Sequence, residues 1–140
     1  MIIFWDTNVL AAAFGTRGLC ADLFARAFGG SYIAVISEQV LDELRRALAR
    51  FGIPPSEIGR YLTFLRNATD VYRTPTAPSS CPVRDPDDGL ILAAAEAAGA
   101  EVLVTGDGDL LAVAHPTIRI VTPRALWQEL DQREARRRRP

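Results

Sequence analysis

The sequence predicts an α/β protein in which helices cover both faces of a parallel sheet. Short apolar segments alternate along the chain with longer stretches whose apolar residues recur at helical spacing. The short segments are apolar throughout, which is typical of strands that are buried on both faces of a sheet. Parallel strands need a crossover between them, and the intervening helical stretches can provide it.

The first half of the chain opens with the apolar run 2–5, a predicted strand, and Asp6 follows it where a helix cap is expected. Residues 19–28 show helical spacing and are followed by Gly29, a residue type that commonly ends helices. The run 32–36 is rich in β-branched residues and predicts the second strand.

The next helical stretch is expected to be capped by Ser37 and to run to about Phe51. Its predicted apolar face contains Val40, Leu44, Ala47 and Phe51. At about 100° per residue, Asp42 lies opposite this face, whereas Glu43 lies on its border. Glu43 is therefore the acidic residue of this helix that we expect to face a cleft.

The second half of the chain continues the alternation. Pro55, Pro86 and Pro123 mark the starts of three helices, because proline is well tolerated in the first helical turn. The predicted elements are, in order, a helix from about 55, a short strand at 71–72, a helix at about 86–98, strands at 102–104 and 118–121, and a last helix from 123.

The length of 140 residues indicates one domain, which we expect to span 1–135 and to be followed by an arginine-rich tail at 136–140. All 16 basic residues are arginine, and the lack of lysine excludes a P-loop or Schiff-base enzyme. The single histidine, His115, excludes a site built from several histidines. A net charge of −1 is not that of a protein that coats nucleic acid.

The cysteines and the apolar runs suggest a cytoplasmic protein. Cys20 and Cys81 form no C-x-x-C motif and are compatible with a reducing compartment. No apolar run reaches the roughly 18 residues that a membrane helix needs. The first six residues do not have the basic start of a secretory signal, and Asp6 interrupts their apolar stretch. We therefore expect no membrane association.

Acidic residues follow the predicted strands at the points where the strands end. Asp6 follows the first strand, Asp107 and Asp109 follow the strand 102–104, and 85–88 opens the next-to-last predicted helix with three aspartates. Ligands of parallel α/β folds bind at this carboxyl edge of the sheet. Carboxylates that converge there repel one another unless a cation joins them, and all-oxygen ligation points to Mg²⁺ or Mn²⁺.

Each acidic residue also has a purely structural interpretation. Asp6 and Asp85 are good helix caps, and Asp88 near a helix start favours the helix dipole. Asp107 and Asp109 flank Gly108 in a segment that is compatible with a simple turn. For any one of these acidic residues the structural role is the favoured interpretation. A metal site is favoured only when all of them are considered together.

The sequence resembles the PIN-domain ribonucleases, and the resemblance extends from residue 1 to about residue 130. Its opening strand followed by Asp-Thr-Asn is one shared motif, and a T-x-D-x-D-hydrophobic signature is another. Four segments carry the resemblance: 2–10 with Asp6, 37–46 with Glu43, 84–88 with Asp88, and 104–111 with Asp107. Within this family the sequence resembles the toxin components of bacterial toxin–antitoxin pairs.

This resemblance implies a three-layer α/β/α fold with a mostly parallel sheet of about five strands, and Mg²⁺- or Mn²⁺-dependent cleavage of RNA. The implied catalytic residues are Asp6, Glu43, Asp88 and Asp107, with Asp6, Asp88 and Asp107 as metal ligands. The implied supporting residues are Asn8, Thr105, Asp85 and Asp109. The resemblance also implies a homodimer and, for a toxin, a small antitoxin protein whose segment covers the acidic cleft.

An RNA substrate also requires positive charge. The arginines that we consider for RNA binding are Arg17, Arg46, Arg50 and Arg84. Surface arginines often serve solubility alone, and for most of these that interpretation is favoured.

Two other functions remain open on the sequence. A phosphatase of the haloacid dehalogenase type also places an aspartate after its first strand, but it needs a second aspartate at the position of Asn8 and usually a lysine. A non-catalytic module for binding or assembly would keep the fold and use exposed apolar helix faces, for example around Tyr61 and Phe64.

Overall fold

A computed structural model describes residues 1–14 and 18–139 and contains one five-stranded sheet. The strands are β1 (Ile2–Trp5), β2 (Ile33–Ser37), β3 (Asp70–Tyr72), β4 (Val102–Val104) and β5 (Arg119–Val121). Their spatial order is β3-β2-β1-β4-β5, and every pairing is parallel. The predicted α/β class with a parallel sheet is confirmed, and helices flank the sheet as predicted.

Seven helices connect and cover the strands in the described residues. They are α1 (Thr7–Ala13), α2 (Leu19–Phe28), α3 (Glu38–Arg50), α4 (Pro55–Ala68), α5 (Pro86–Ala97), α6 (Gly108–Leu111) and α7 (Pro123–Arg137). Prolines at the first turn begin α4, α5 and α7, as predicted. Ser37 caps α3 by accepting a hydrogen bond from the Val40 backbone N–H.

The core lies on both faces of the central strands. Phe4 and Trp5 of β1 and Leu103 of β4 are fully buried. Trp5 packs edge-on against Phe24 of α2, with ring centroids 5.0 Å apart. A β1 without a solvent-facing side explains why the alternation of apolar and polar residues is absent from its sequence.

The predicted apolar face of α3 is only partly correct. The buried residues of the helix are Val40, Leu41, Leu44 and Leu48. Phe51, which was predicted on this face, is 77% exposed. The helix ends at Arg50, and the chain turns at Gly52 with φ +79°, so Phe51 leaves the helical face.

The strand order places the change of direction at β1. The chain proceeds from β1 to β2 and β3 on one side, and then crosses to β4 and β5 on the other. A crevice opens at the carboxyl ends of the strands where such a reversal occurs. Asp6 follows β1 and Thr105 follows β4 at this crevice, and Asp6 N donates to Val104 O at 3.1 Å.

The last helix runs away from that edge. Glu134 near the end of α7 binds Arg26 at 2.6 Å and lies 3.5 Å from the Ser31 hydroxyl, which precedes β2 at the opposite edge of the sheet. The helix continues through Arg137, so two arginines of the segment expected as a tail are helical. The four arginines at 136–139 are exposed.

Candidate metal centre

Asp6 lies at the base of the crevice and is 4% exposed. One carboxylate oxygen, Oδ1, accepts the Thr7 backbone N–H at 2.8 Å. The other, Oδ2, accepts from the Thr105 hydroxyl at 2.7 Å and from the Asn8 amide at 3.1 Å. Burial raises the pKa of Asp6 above its ordinary value, and the Asp107 carboxylate adds to the rise, while these hydrogen bonds oppose it.

Asn8 and Thr105 join the segment after β1 to the segment after β4. The Asn8 side-chain oxygen accepts the Gly106 backbone N–H at 2.9 Å. The Thr105 hydroxyl donates to Asp6 and accepts the Asp107 backbone N–H at 3.0 Å. Both residues therefore fix the separation of Asp6 from Asp107.

Glu43 reaches the crevice from the second turn of α3 and is half-buried. Its Oε1 accepts from the Gln39 amide at 2.8 Å, and its Oε2 lies 3.4 Å from the Thr7 hydroxyl. Burial raises the pKa of Glu43, and the charge of Asp6 adds to the rise. Glu43 lies at the border of the apolar face of α3, as the helical spacing predicts.

The aspartates before and within the first turn of α5 differ in their environments. Asp85 is the exposed N-cap, and its Oδ1 accepts the Asp87 backbone N–H at 3.0 Å. Asp88 is 8% exposed, and its Oδ2 is buried without a hydrogen-bond partner among the described residues. An unpartnered carboxylate oxygen is costly to bury. Asp85 thus has a clear structural role, whereas Asp88 does not.

Asp88 belongs to a group of three carboxylates that could hold one cation. Asp88, Asp107 and Asp109 each present an oxygen, and these oxygens lie within 4.8 Å of one another. Burial raises the pKa of Asp88 to about 7, and the neighbouring Asp107, Asp6 and Asp85 contribute to the rise. A buried oxygen with no donor, within an all-carboxylate group, fits a hard divalent ion such as Mg²⁺ or Mn²⁺.

The four predicted catalytic residues line one cleft of about 620 Å³. Asp6, Glu43, Asp88 and Asp107 share it with Thr7 and Asn8, and its outer part is formed by Ala11, Ala12, Ala47, Arg50 and Phe51. Asp109 is outside the cleft lining and approaches from the rim, where Arg84 lies 4.0 Å from it. Side chains far apart in the sequence therefore meet at one acidic surface.

The arginines considered for RNA binding differ in position. Arg50 lines the cleft, and Arg84 is at its rim beside Asp109. Arg46 is exposed on α3 and is not among the cleft residues. Arg17 lies outside the described residues.

Gln39 and Thr7 are site residues that the sequence analysis did not identify. The Gln39 amide donates to Glu43 and also to the Asp87 backbone oxygen at 3.1 Å, so it connects α3 to the start of α5. The spacing of four residues between Gln39 and Glu43 was the available signal, because such pairs are neighbours on a helix. The contact with α5 had no signal in the sequence.

The family model described as the PIN domain matches residues 3–109 of this chain. The chain belongs to the PIN-domain family. The match covers all four segments that carried the resemblance except for the first residue of the opening segment and the last two residues of the fourth. No curated protein sequence matches the chain significantly.

Solved structures show the same fold at low sequence identity. VapBC2 from Rickettsia felis, bound to a fragment of its promoter DNA, is 17% identical, with a TM-score of 0.65 over 87% of this chain and 98% of the matched chain. FitAB bound to the IR36 DNA fragment is 17% identical, with a TM-score of 0.60 over 86% and 94%. VapC20 of Mycobacterium tuberculosis, a toxin that cleaves the sarcin-ricin loop, is 20% identical, with a TM-score of 0.54 over 76% and 91%.

Among the described residues, no helix is both long enough and apolar enough to cross a membrane.

Proposed function

We propose that this PIN-domain protein is a divalent-metal-dependent endoribonuclease that hydrolyses RNA phosphodiester bonds. The observation that carries the proposal is the unpartnered, buried Oδ2 of Asp88 within reach of Asp107 and Asp109. An acidic cleft without a cation would repel the phosphate of RNA, so an acidic centre and an RNA substrate are compatible only through a metal ion. Membership of the PIN-domain family supports the same activity.

Different residues of the cleft would bind the metal ion and activate the attacking water in such a reaction. Asp88 and Asp107, with Asp6 at the base and Asp109 at the rim, would hold the ion. When bound, the ion supplies positive charge to the phosphate and lowers the pKa of a coordinated water. Glu43 is placed to orient the attacking water and to accept its proton, since its raised pKa brings it nearer to neutral pH.

Asn8 and Thr105 serve this chemistry by position. Their hydrogen bonds to Asp6, Gly106 and the Asp107 backbone hold the two acidic segments at a fixed separation. A preorganised ligand set avoids reorganisation when the ion and the substrate bind.

We further propose that the protein is the toxin of a toxin–antitoxin pair and acts in the cytoplasm. The similarity to VapC20, a toxin, and to proteins of the VapBC2 and FitAB complexes supports this assignment. The expected partners are a second copy of the chain and a small antitoxin whose segment covers the cleft. Growth arrest on expression of the wild type, and its relief by Asp88→Asn, would test the toxin assignment.

The nuclease proposal is tested with single-stranded RNA and purified protein in Mg²⁺, in Mn²⁺ and in EDTA. We expect cleavage in either metal and none in EDTA. The variants Asp6→Asn and Asp88→Asn should lose cleavage while they retain the circular dichroism spectrum of the wild type. Asp70→Asn, a change of an exposed aspartate outside the cleft, is the matched control and should cleave normally. Folded wild type that cleaves in neither metal would contradict the proposal and favour a binding module.

A phosphatase is distinguished in the same assay. It would hydrolyse p-nitrophenyl phosphate, a small phosphomonoester, and would leave the RNA intact. In this chain the position of the second phosphatase aspartate holds Asn8, whose side chain is engaged by Gly106 and Asp6. We therefore expect no turnover of the phosphomonoester.

A further inference from the structure

Phe51 is an exposed aromatic ring at the rim of the acidic cleft. It is 77% exposed, the highest value among the large hydrophobic side chains of the described residues. The two other exposed phenylalanines, Phe28 and Phe64, pack against each other with ring centroids 5.6 Å apart. No ring of the described residues packs against Phe51, so its faces are open.

The backbone holds Phe51 in this position. Phe51 N–H donates to Ala47 O at 3.2 Å as the C-cap of α3, and Gly52 adopts φ +79° in the turn that follows. Ile53 N–H then donates back to Leu48 O at 3.2 Å, and the half-buried Ile53 packs against the core in place of Phe51. This is the hydrogen-bond pattern of a helix end that glycine permits. The backbone that carries the exposed ring is therefore fixed by a structured turn.

The surroundings of Phe51 combine small apolar side chains with a positive charge that no carboxylate of the described residues pairs. Ala11, Ala12 and Ala47 line the cleft together with Phe51. Arg50 lines the same cleft, and no carboxylate of the described residues is within ion-pair distance of its guanidinium. Arg45 on the same helix is instead paired with Asp42 at 3.3 Å.

We propose that the Phe51 ring stacks on a nucleobase next to the scissile phosphate and that Arg50 contacts the adjoining phosphate. The inference rests on the proposed nuclease function. A nucleotide joins an anion to a flat aromatic base, and the cleft offers a cation-binding centre, a free guanidinium and an open ring in one continuous surface. Nucleobases stack on exposed aromatic side chains of proteins in the same way. Phe51 is thus a substrate-positioning residue.

A kinetic experiment with modified RNA tests the stacking. The substrate is a short single-stranded RNA with a fluorescent label, cleaved in Mn²⁺, together with copies in which single nucleotides near the cut are abasic. Stacking of one base on an aromatic residue corresponds to about 5-fold to 150-fold in affinity. We expect Phe51→Ala to raise KM by a factor in this range while kcat changes less than about threefold, because stacking acts on binding.

The abasic copies identify the contact by a double-mutant cycle. Removing one particular base should raise KM of the wild type as much as Phe51→Ala does, and should change KM of the variant little, since the two changes remove one interaction. Phe51→Trp should restore the wild-type KM, whereas Phe51→Leu, apolar but not aromatic, should not. Phe28→Ala, which removes an exposed phenylalanine outside the cleft, should leave KM unchanged.

Failure of this inference is distinct from failure of the nuclease proposal. If the wild type cleaves RNA but Phe51→Ala has the wild-type KM, the stacking proposal is wrong and the nuclease proposal is unaffected. The same holds if the effects on KM of Phe51→Ala and of each abasic position are additive. An effect of Phe51→Ala only on the binding of a peptide partner would equally overturn it. A wild type that cleaves no RNA overturns both.

Discussion

Replacing Asp88 with asparagine should stabilise the metal-free protein although it removes the nuclease activity. The Asp88 carboxylate is 8% exposed, its Oδ2 has no donor among the described residues, and Asp107 and Asp6 add negative charge nearby. Asparagine has nearly the same shape as a protonated aspartate and carries no charge. The substitution should therefore relieve repulsion without creating a cavity.

The pKa of Asp88 sets the size of the effect. A pKa of about 7, against an ordinary value of 3.8, corresponds to about 4 kcal/mol at full weight. Because the cleft is open to water and ions, we expect about 1–2 kcal/mol of this to be measurable. In a domain of this size that is about 4–8 °C in Tm.

The direction of the pH dependence follows from proton binding. Below pH 4 the Asp88 carboxyl is protonated in both the folded and the unfolded chain, and the variant and the wild type should be nearly equal in stability. Between pH 4 and the pKa of Asp88 in the folded chain, which is at most about 7, the unfolded chain has released the proton while the folded chain retains it, so the wild type loses stability as the pH rises. The advantage of Asp88→Asn should therefore grow as the pH rises above 4 and become constant once the pH exceeds the pKa of the folded chain.

Thermal unfolding in EDTA across pH 4 to pH 8 measures this difference. Asp70→Asn, a change of an exposed aspartate outside the cleft, is the matched control for the loss of one carboxylate. Added Mn²⁺ should raise the Tm of the wild type, because an ion that binds only the folded state stabilises that state. The Tm of Asp88→Asn should stay nearly unchanged, because the variant lacks a carboxylate of the proposed metal centre. A variant that is less stable than the wild type at pH 8 in EDTA would refute the repulsion.

Three further perturbations concern the supports of the site and its charge. Thr105→Val should weaken Mn²⁺ binding measured by calorimetry and lower stability by about 1–3 kcal/mol, because it removes the hydroxyl of a buried residue that makes three hydrogen bonds; Thr105→Ser should restore both. Gln39→Leu should raise the pKa of Glu43 further, because it removes the 2.8 Å hydrogen bond that lowers this pKa. The acidic limb of the plot of kcat against pH should then move to higher pH, and an unshifted limb would exclude Glu43 as the base. Arg50→Gln should reduce the salt dependence of RNA binding by about one phosphate contact, whereas deletion of 136–139, at the opposite edge of the sheet, should leave the slope unchanged.

Most of the fold could be predicted because its signals are local. The fully apolar strand β1, the capping Ser37 and the prolines that begin α4, α5 and α7 each depend on a few adjacent residues. The short helix α6 could not be distinguished from a turn, since four residues carry no helical periodicity. Phe51 was predicted on the wrong surface because the spacing rule assumes that the helix continues past Arg50.

For the candidate site, the position of the acidic residues in one cleft could be predicted better than the contacts among them. Strand ends, one helix start and one helix border predicted acidic residues at this edge of the sheet, and the resemblance to the PIN-domain family selected Asp88 and Asp107 among them. The structure brings Asp6, Glu43, Asp88 and Asp107 into one cleft. The contact of Gln39 with the start of α5 depends on how two distant segments pack, and residue spacing contains no information on that contact.

The buried aspartates Asp6 and Asp88 also differ in how many hydrogen bonds their carboxylate oxygens accept from the protein. This difference indicates which of the two depends more on a bound cation. Both oxygens of Asp6 accept hydrogen bonds from the chain, three in all, although the residue is 4% exposed. The Oδ2 atom of Asp88, which is buried to a similar extent, accepts none. Donors that compensate Asp6 make it the anchor of the segments after β1 and β4, whereas the uncompensated charge of Asp88 is a lasting cost to the folded state. A bound cation would compensate Asp88 more than Asp6, so in the proposed metal centre the strongest ion contact is expected on the side of Asp88 and Asp107.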